Sequence, residues 1–330
     1  MVYGDTSSYT RTHAFERVIE TEKASPVSKM EMAGRGCELS YHPDFVGRRS
    51  SETGYVGGLT IEEAKALEEL RVQVHNDGLD IDKWLLRPAE TETMLLLRFL
   101  RARKFHVGKA RRLLAADAAW REQHGLAGLW RWAEPAAAGF GPLEGTEGVY
   151  PQHWLQGFDR QGRPVAFHKY GHFKVWECLK FTSVENMLRH HIWCNERALR
   201  LGAQHGAARG ICVETTVGVI DLEGWSPRLA HRAAWRYVRA VAAADSDHYP
   251  ERLGAMLLIN SPSTLTGIWK VISTWLDART KEKIKILGGR EQYLPVLLGL
   301  MDADQLPREY GGTGTRRNLA PDTAFAAAAA

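Results

Sequence analysis

The pattern of apolar and polar residues between positions 217 and 262 predicts a strand, a helix and a second strand. The two apolar runs are Val217–Leu222 and Ala255–Ile259, and each ends at a turn signal. Between them apolar residues recur at helical spacing, with arginines mostly off that stripe. Such a unit implies parallel strands joined by a right-handed crossover. Because both strands are apolar along their whole length, we expect an α/β sheet covered by helices on both faces.

Three helices are predicted ahead of this unit. The first opens at a capping box formed by Thr60 and Glu63. The second covers Glu90–Lys104 and has a basic C-terminal end, for which a solvated helix terminus is the plain structural interpretation. The third covers Val107–His124 and stops at Gly125. We expect these helices to form a small bundle.

The remaining elements complete the α/β part of the chain. They are a turn at Asp159–Gly162 leading into a strand at Val165–Tyr170, a helix from a capping box at Thr182 and Glu185 to about Leu201, a helix at Leu265–Leu276 with a tryptophan stripe, a strand at Lys283–Leu287 and a covering helix at Arg290–Met301. Composition then divides the chain into a flexible leader at 1–58, a helical domain at 59–133, an α/β domain at 145–313 and a disordered tail at 314–330.

The composition is that of a globular chain, with 44% hydrophobic residues. A net charge of +4, spread along the chain, predicts no nucleic-acid partner. No apolar run approaches the roughly 20 residues that span a bilayer, so we expect any membrane contact to be peripheral. The cysteines show no paired spacing, which predicts reduced thiols in the cytosol; they are Cys37, Cys178, Cys194 and Cys212.

Signals for catalysis and for metal binding are weak. Residues 224–228 lack the last glycine of a nucleophile elbow, and no phosphate-binding glycine pattern follows a strand. We therefore expect no enzyme activity, no catalytic residue and no cofactor. His190 and Cys194 lie four residues apart on a predicted helix, but no third ligand follows at matching spacing. A buried cysteine beside a solvated histidine is the expected arrangement, with no metal site.

Six motifs follow one another between Thr60 and Gly312 in a specific order and spacing. They are LLRFLRARKF (96–105), DRQGRPV (159–165), VIDLEGW (219–225), HYPERLG (248–254), INSP (259–262) and LPREYGG (306–312). Together they make the chain resemble the CRAL-TRIO lipid-binding proteins, most closely their yeast-type phosphatidylinositol/phosphatidylcholine transfer branch. The resemblance implies an N-terminal helical bundle packed on an α/β lobe, whose mostly parallel sheet floors a deep apolar pocket for one lipid.

The resemblance also implies where an inositol-phosphate headgroup binds. The matching positions here carry two cations on the second helix, a glutamate, a threonine and a lysine; they are Arg103, Lys104, Glu251, Thr280 and Lys283. Cationic groups neutralise a phosphodiester, while a hydroxyl and a carboxylate complete its hydrogen bonds and those of the ring hydroxyls. The structural alternative is that Glu251 simply pairs with Arg252 or Lys283 and caps an element.

The positions that match the family's phosphatidylcholine site depart from its pattern. Thr216 retains a hydroxyl, but Gly218 and Ala166 stand where the family has hydroxyl-bearing residues. Trp154 falls near a further family tyrosine and could stack on a choline. We expect poor phosphatidylcholine exchange and a more apolar, roomier floor, which suits a sterol or another hydrophobic second ligand.

The family's gate over the pocket matches the helix with the tryptophan stripe. Its apolar positions are Ile268, Trp269, Ile272, Trp275 and Leu276. An ordinary core helix is the alternative interpretation of this stripe. As a gate it suits brief apolar contact with a bilayer, because Lys270 is its one charged residue.

The resemblance predicts a protein that exchanges a single lipid, chiefly phosphatidylinositol, between membranes. Its cargo is the bound phospholipid, and its partners are membrane phospholipids met in transient surface contact. We expect a cytoplasmic protein, peripheral on Golgi, endosomal or plasma membranes. Two alternatives remain: a lipid-sensing scaffold for phosphoinositide signalling that binds a protein partner through residues 1–58, and a carrier of a non-phospholipid hydrophobe.

Overall fold

A computed structural model of the chain describes residues 53–86, 89–131 and 150–322. Most of the predicted leader, the loop at 134–148 and the end of the tail lie outside these residues. The described helices are α1 (Ile61–Asn76), α2 (Glu92–Ala102), α3 (Val107–Gln123), α4 (Val175–Cys178), α5 (Val184–Ala208), α6 (Arg232–His248), α7 (Leu265–Ile272), α8 (Ala278–Glu282) and α9 (Arg290–Leu300). The strands are β1 (Gln152–Phe158), β2 (Pro164–Lys169), β3 (Thr216–Asp221), β4 (Leu253–Ile259) and β5 (Ile284–Ile286).

The five strands form one mostly parallel sheet in the order β1-β2-β3-β4-β5. Only the β1–β2 pair is antiparallel. The predicted β3–α6–β4 unit is confirmed, with its strands parallel and in contact. β1 was not predicted from the sequence, although the turn at Asp159–Gly162 that joins it to β2 was. Asp159 holds this turn by accepting hydrogen bonds from the backbone nitrogens of Gln161 and Arg163 at 3.0 and 2.8 Å.

The two faces of the sheet have different neighbours. Val217, Val219, Leu257 and Ile259 pack on Leu297 of α9 in one core cluster. The alternate residues of β3 are only partly buried, because they face an internal cavity. Helices lie over both faces, as expected, but on this face α6 and α7 are separated from the strands by the cavity, whereas α5 packs on Ala166. Uniform apolarity suits both environments, so sequence could not separate them.

The N-terminal helices pack around their own core, as predicted. Thr60 and Glu63 form the capping box of α1, and Gly125, with φ of 62°, follows the end of α3. The second helix is shorter than predicted, since Thr91 caps it and it ends at Ala102. Its basic end is solvated only in part: Lys104 is exposed, but the side chains of Arg98 and Arg101 are buried.

Buried ion pairs connect these helices to the α/β lobe. Glu90 accepts from Arg252 at 2.7 Å and lies 3.5 Å from Arg98, while Arg101 donates to Glu214 at 2.9 Å. Burial opposes the charged form of Glu90, but the two neighbouring guanidinium groups hold its pKa below the usual value. Removing one partner from such a pair leaves an uncompensated buried charge, so these contacts fix how the bundle docks.

Three of the family-like motifs, VIDLEGW, INSP and LPREYGG, meet at the carboxyl end of β3 and stabilise the fold there. Asp221 accepts from the Tyr310 hydroxyl at 2.9 Å and from the Asn260 side-chain nitrogen at 2.8 Å. Burial, together with this carboxylate, raises the pKa of Tyr310 far above its usual value, so Tyr310 remains a donor. These contacts hold the three motifs together on the scaffold side of the sheet.

The predicted boundaries of α5 and of the C-terminal tail are wrong. Ser183, not Thr182, caps α5 by accepting from the Asn186 backbone nitrogen, and the helix continues to Ala208. Residues 314–322, predicted as the start of a disordered tail, instead lie alongside β1. The backbone nitrogen of Leu319 donates to the Leu155 carbonyl at 2.8 Å.

Candidate functional site

A cavity of about 760 Å³ lies between the sheet and the helices α6 and α7. Its floor is the open face of the sheet, including Ala166, Gly218, Ile220, Met256 and Leu258. Its walls come from the apolar sides of two helices and the short segment after α7; they include Trp235, Val238, Val241, Ile268, Trp269, Ile272, Trp275 and Leu276. A volume in this range accommodates an apolar ligand of substantial size.

All five predicted headgroup residues line one rim of this cavity. Arg103 and Lys104 follow α2, Glu251 precedes β4, and Thr280 and Lys283 lie at α8 just before β5. Residues up to 180 positions apart in the sequence therefore line the same cavity, as the resemblance implies. The roles of these residues remain predictions, whereas their common location is observed.

Glu251 is the centre of the charged rim. The Lys283 ammonium donates to its Oε2 at 3.3 Å, and the Arg279 guanidinium lies 3.6 Å from its Oε1. Of the two partners in the structural alternative, Lys283 does pair with Glu251, but Arg252 pairs with Glu90 instead. Arg279 also lines the cavity and was missed by sequence reasoning. The one sequence signal that could have indicated Arg279 as a headgroup residue was its position directly before the predicted Thr280.

The backbone at the rim is held in an unusual conformation. Lys104 and Glu251 have φ values of 50° and 59°, in the left-handed region that side chains other than glycine rarely adopt. Such conformations cost about 1–3 kcal/mol each and persist where the surrounding structure imposes them, often at ligand sites. Thr280 is less available than predicted, because its hydroxyl donates to Asp277 at 2.5 Å and keeps only an acceptor function.

The predicted second-lipid residues do not all face the cavity. Ala166, Thr216 and Gly218 line it, but Trp154 lies on the other face of the sheet, stacked on Phe167. The Arg316 guanidinium covers the Trp154 ring at 3.7 Å. The choline-stacking role of Trp154 is therefore wrong. The neighbouring His153 points into the cavity in its place.

The predicted gate segment is not one continuous helix. α7 ends at Ile272, and a 3₁₀ turn over Ser273–Trp275 follows it. Trp275 meets Trp235 of α6 edge to face, with ring centroids 5.8 Å apart. Every predicted gate residue lines the cavity and is only partly buried, which distinguishes this stripe from a closed core.

A polar corner interrupts the apolar lining between β1, β2 and α5. The Nδ1 atoms of His153 and His168 lie 3.1 Å apart, and His191 bonds Asp245 of α6 at 2.8 Å. His190 is buried and bonds the Tyr150 hydroxyl at 2.9 Å, so the expected solvated histidine is wrong. The sequence analysis considered His190 only as one of a possible metal-binding pair, and it predicted none of these residues to contact a lipid.

These histidines make stability depend on pH. Burial lowers the pKa of His168 to about 3, and the charges of His191 and His190 act in the same direction. An unfolded histidine titrates near about 6.5, so below that pH the unfolded chain binds more protons than the folded one. The free energy of unfolding should therefore fall by up to about 1.4 kcal/mol per pH unit for this group as pH drops from about 6.5 towards 3.

Urea unfolding of the wild type and of His168→Phe between pH 7 and pH 5 measures this contribution. The wild type should lose more stability over that interval, since the variant has no group to protonate at position 168. Parallel losses in the two proteins would contradict the assignment. The His191–Asp245 pair has the opposite sign and is common to both proteins, so it cancels in the comparison.

The fold and this cavity define an α/β protein built around a space for one apolar molecule, with a charged rim. A family model described as the CRAL/TRIO domain matches residues 152–312, and one described as CRAL/TRIO, N-terminal domain matches residues 66–116. The chain belongs to the CRAL-TRIO family. Within the described residues no helix is long and apolar enough to cross a membrane, and no cluster of three or more potential metal ligands is present.

Named relatives agree with this family. The SEC14 cytosolic factor of Eremothecium gossypii is 33% identical over 267 residues, which are 79% of this chain and 80% of that protein. The phosphatidylinositol/phosphatidylcholine transfer protein SFH4 of Arabidopsis thaliana is 32% identical over 260 residues, 78% of this chain but only 41% of that longer protein. The crystal structure of Sfh5 superposes with a TM-score of 0.57 at 17% identity, over 79% of this chain and 90% of that one, and supports the fold alone.

Proposed function

We propose that this protein binds phosphatidylinositol and moves it between membranes, one molecule at a time, through the cavity beneath α7. The observation that carries the proposal is that Arg103, Lys104, Glu251 and Lys283 all line one large apolar cavity, with Lys283 and Glu251 paired at 3.3 Å. A diacyl lipid needs both environments at once, because its acyl chains are apolar and its headgroup is anionic. The similarity to SFH4, a phosphatidylinositol/phosphatidylcholine transfer protein, supports the same conclusion.

The charge balance of the rim suits an anionic headgroup. Four cationic side chains, from Arg103, Lys104, Arg279 and Lys283, line it, while Glu251 and Asp277 are its carboxylates. The excess positive charge can neutralise one phosphodiester, and Glu251 can then accept from ring hydroxyls. The ion pairs of Glu251 with Lys283 and Arg279 satisfy these groups while no headgroup is bound.

Transfer between vesicles tests the proposal. Donor vesicles carrying fluorescent phosphatidylinositol and a quencher are mixed with unlabelled acceptor vesicles, and the protein should accelerate dequenching in proportion to its concentration. A protein that binds the lipid tightly but leaves the transfer rate at its spontaneous value would instead be a lipid-sensing scaffold. Mass spectrometry of lipid extracted from the purified protein identifies the cargo independently.

Exchange of phosphatidylcholine should be weak, because the floor lacks hydroxyls at Ala166 and Gly218. The double variant Ala166→Tyr, Gly218→Thr should raise it, since each hydrogen bond to a charged phosphate contributes about 1.5–3 kcal/mol. The floor has room at Gly218, where an added Cβ would meet Met256 at the ordinary contact distance of 3.8 Å. Robust exchange by the unmodified protein would contradict the premise.

A matched control separates hydroxyl chemistry from bulk. The variant Ala166→Phe, Gly218→Val adds nearly the same volume without any hydroxyl. Phosphatidylcholine exchange should rise for the tyrosine and threonine pair only. The loss of these hydroxyls also favours a hydrophobic second cargo, such as a sterol, on the same floor.

A further inference from the structure

We infer that the His153–His168 pair forms a second polar anchor in the cavity, which binds the hydroxyl of an uncharged lipid, with a sterol as the representative ligand. The inference rests on the proposed function, since it names what the floor holds besides phosphatidylinositol. It starts from the geometry of β1 and β2, where these two residues are directly opposite in register. Both side chains line the cavity.

The hydrogen bond between the two rings dictates what they present to a ligand. At 3.1 Å between Nδ1 atoms, one nitrogen donates and the other accepts. A neutral ring carries one N–H, so the donating ring has an acceptor at Nε2 and the accepting ring has a donor at Nε2. The pair therefore offers one donor and one acceptor side by side. A hydroxyl group, which both donates and accepts, is the complementary partner.

The two Nε2 atoms are the available polar atoms of this corner. Among the described residues, no hydrogen bond engages the Nε2 atom of either His153 or His168. The other polar groups nearby have partners: the side chain of Asn195 donates to Asp245 at 3.0 Å, and His191 bonds the same carboxylate. The corner thus has two hydrogen-bonding positions left for a ligand.

The corner suits an uncharged ligand and disfavours an anion. Burial keeps the pKa of both rings of the pair well below the usual value, so they are neutral at physiological pH. Arg197 lies near His153, but its guanidinium stacks over the Trp193 ring at 4.6 Å and does not line the cavity. An anionic headgroup here would lose its hydration without gaining a counter-charge.

The anchor is separate from the charged rim. Lys283 lies at the start of β5, three strands away from β2, which at about 4.8 Å per strand is about 14 Å across the sheet. His168 is also two residues beyond Ala166 towards the carboxyl end of its strand, whereas Lys283 precedes its strand. A ligand anchored at the histidine pair would place its apolar body over Ala166 and Gly218, where the floor is small and without hydroxyls.

The test uses the full chain and the fluorescent sterol dehydroergosterol, with cholesterol and cholesteryl methyl ether as competitors. The ether keeps the sterol body but cannot donate. The wild type should bind cholesterol about tenfold more tightly than the ether, as expected for one lost hydrogen bond to a buried partner. The variant His168→Phe should bind both weakly and equally, while His172→Phe, at an exposed histidine outside the cavity, should retain the tenfold preference.

Outcomes separate this inference from the proposed function. If the wild type binds no dehydroergosterol, or does not distinguish alcohol from ether, the inference fails whatever the variants do. If phosphatidylinositol transfer is intact in that same preparation, the proposed function stands without it. If the sterol preference appears but no phosphatidylinositol is moved, the histidine anchor stands and the proposed function fails. The comparison of cholesterol with its methyl ether uses the wild type alone, so it does not depend on whether a variant folds.

Discussion

Tethering the segment after α7 to α6 should abolish lipid exchange and leave bound lipid in place. The double variant Trp235→Cys, Trp275→Cys places thiols where two rings now meet across the cavity mouth. A short bifunctional thiosulfonate reagent links them through disulfides that a reductant can cleave. Cys37, which lies outside the described residues, is replaced by serine, whereas Cys178, Cys194 and Cys212 are buried.

The physical reason is that a cavity that exchanges lipid would have to be closed in water and open at a membrane. Opening would expose the apolar side chains Ile268, Trp269 and Ile272, at a cost of about 25 cal/mol per Å² of apolar surface. A bilayer would remove that cost by covering the same surface, so we expect the open state to be populated at the membrane. Ser261, Pro262 and Gly267 on one side, and Asp277–Arg279 on the other, can absorb the backbone rotation.

A remote tether controls for the chemistry. Arg71→Cys with Thr93→Cys joins α1 to α2, where the two native side chains are bonded at 2.9 Å, far from the mouth. Cross-linking that pair should leave transfer unchanged, while cross-linking the mouth should reduce it to the spontaneous rate until reductant is added. Undiminished exchange by the cross-linked mouth variant would mean that lipid enters elsewhere and that the tryptophan stripe is a fixed wall of the cavity.

Lys283→Ala should reduce phosphatidylinositol transfer by about 10- to 150-fold. The ammonium lies at the rim, partly exposed, and a charge-assisted hydrogen bond in such a site contributes about 1.5–3 kcal/mol. The variant should fold normally, because Glu251 keeps its second cationic neighbour Arg279 at 3.6 Å. Transfer rates with labelled phosphatidylinositol, and melting temperatures of both proteins, measure the two effects separately.

Lys285→Ala is the matched control on the same segment. It removes the same charge two residues along, but Lys285 is exposed and does not line the cavity, because its neighbour Ile284 points inward. Transfer by this variant should remain within about twofold of the wild type, as is usual for a surface substitution. Equal transfer rates for the two lysine variants would remove Lys283 from the headgroup site.

The headgroup rim and the parallel unit were accessible from sequence for different reasons. Local periodicity predicts β3, α6 and β4, and it depends only on the residues of those elements. The rim residues lie far apart in the chain and were placed by motif resemblance, with no local signal of their own. Arg279 shows the limit of that route, because no motif position pointed to it although its guanidinium lies against Glu251.

The buried charges were misjudged for a physical reason. Arg98 and Arg101 follow apolar residues at the end of a helix, where cations are usually solvated. Only tertiary packing brings Glu90 and Glu214 to them. The resulting ion pairs offset the free-energy cost of burying the two arginines. The strand pattern alone does not separate the cavity face of the sheet from its packed face, since apolar strands suit both; the pocket was expected from the family resemblance.

The sequence by itself determined the family, the β3–α6–β4 unit and five residues that line the cavity, but neither β1 nor Arg279. Only the tertiary structure decided which side chains of β1 and β2 enter the cavity. Side chains alternate between faces, so a shift of one residue exchanges them. The antiparallel register puts His153 opposite His168 on the cavity face and sends Trp154 to the other side, beneath Arg316. That register depends on long-range strand pairing, and so the histidine pair has no signature along the chain.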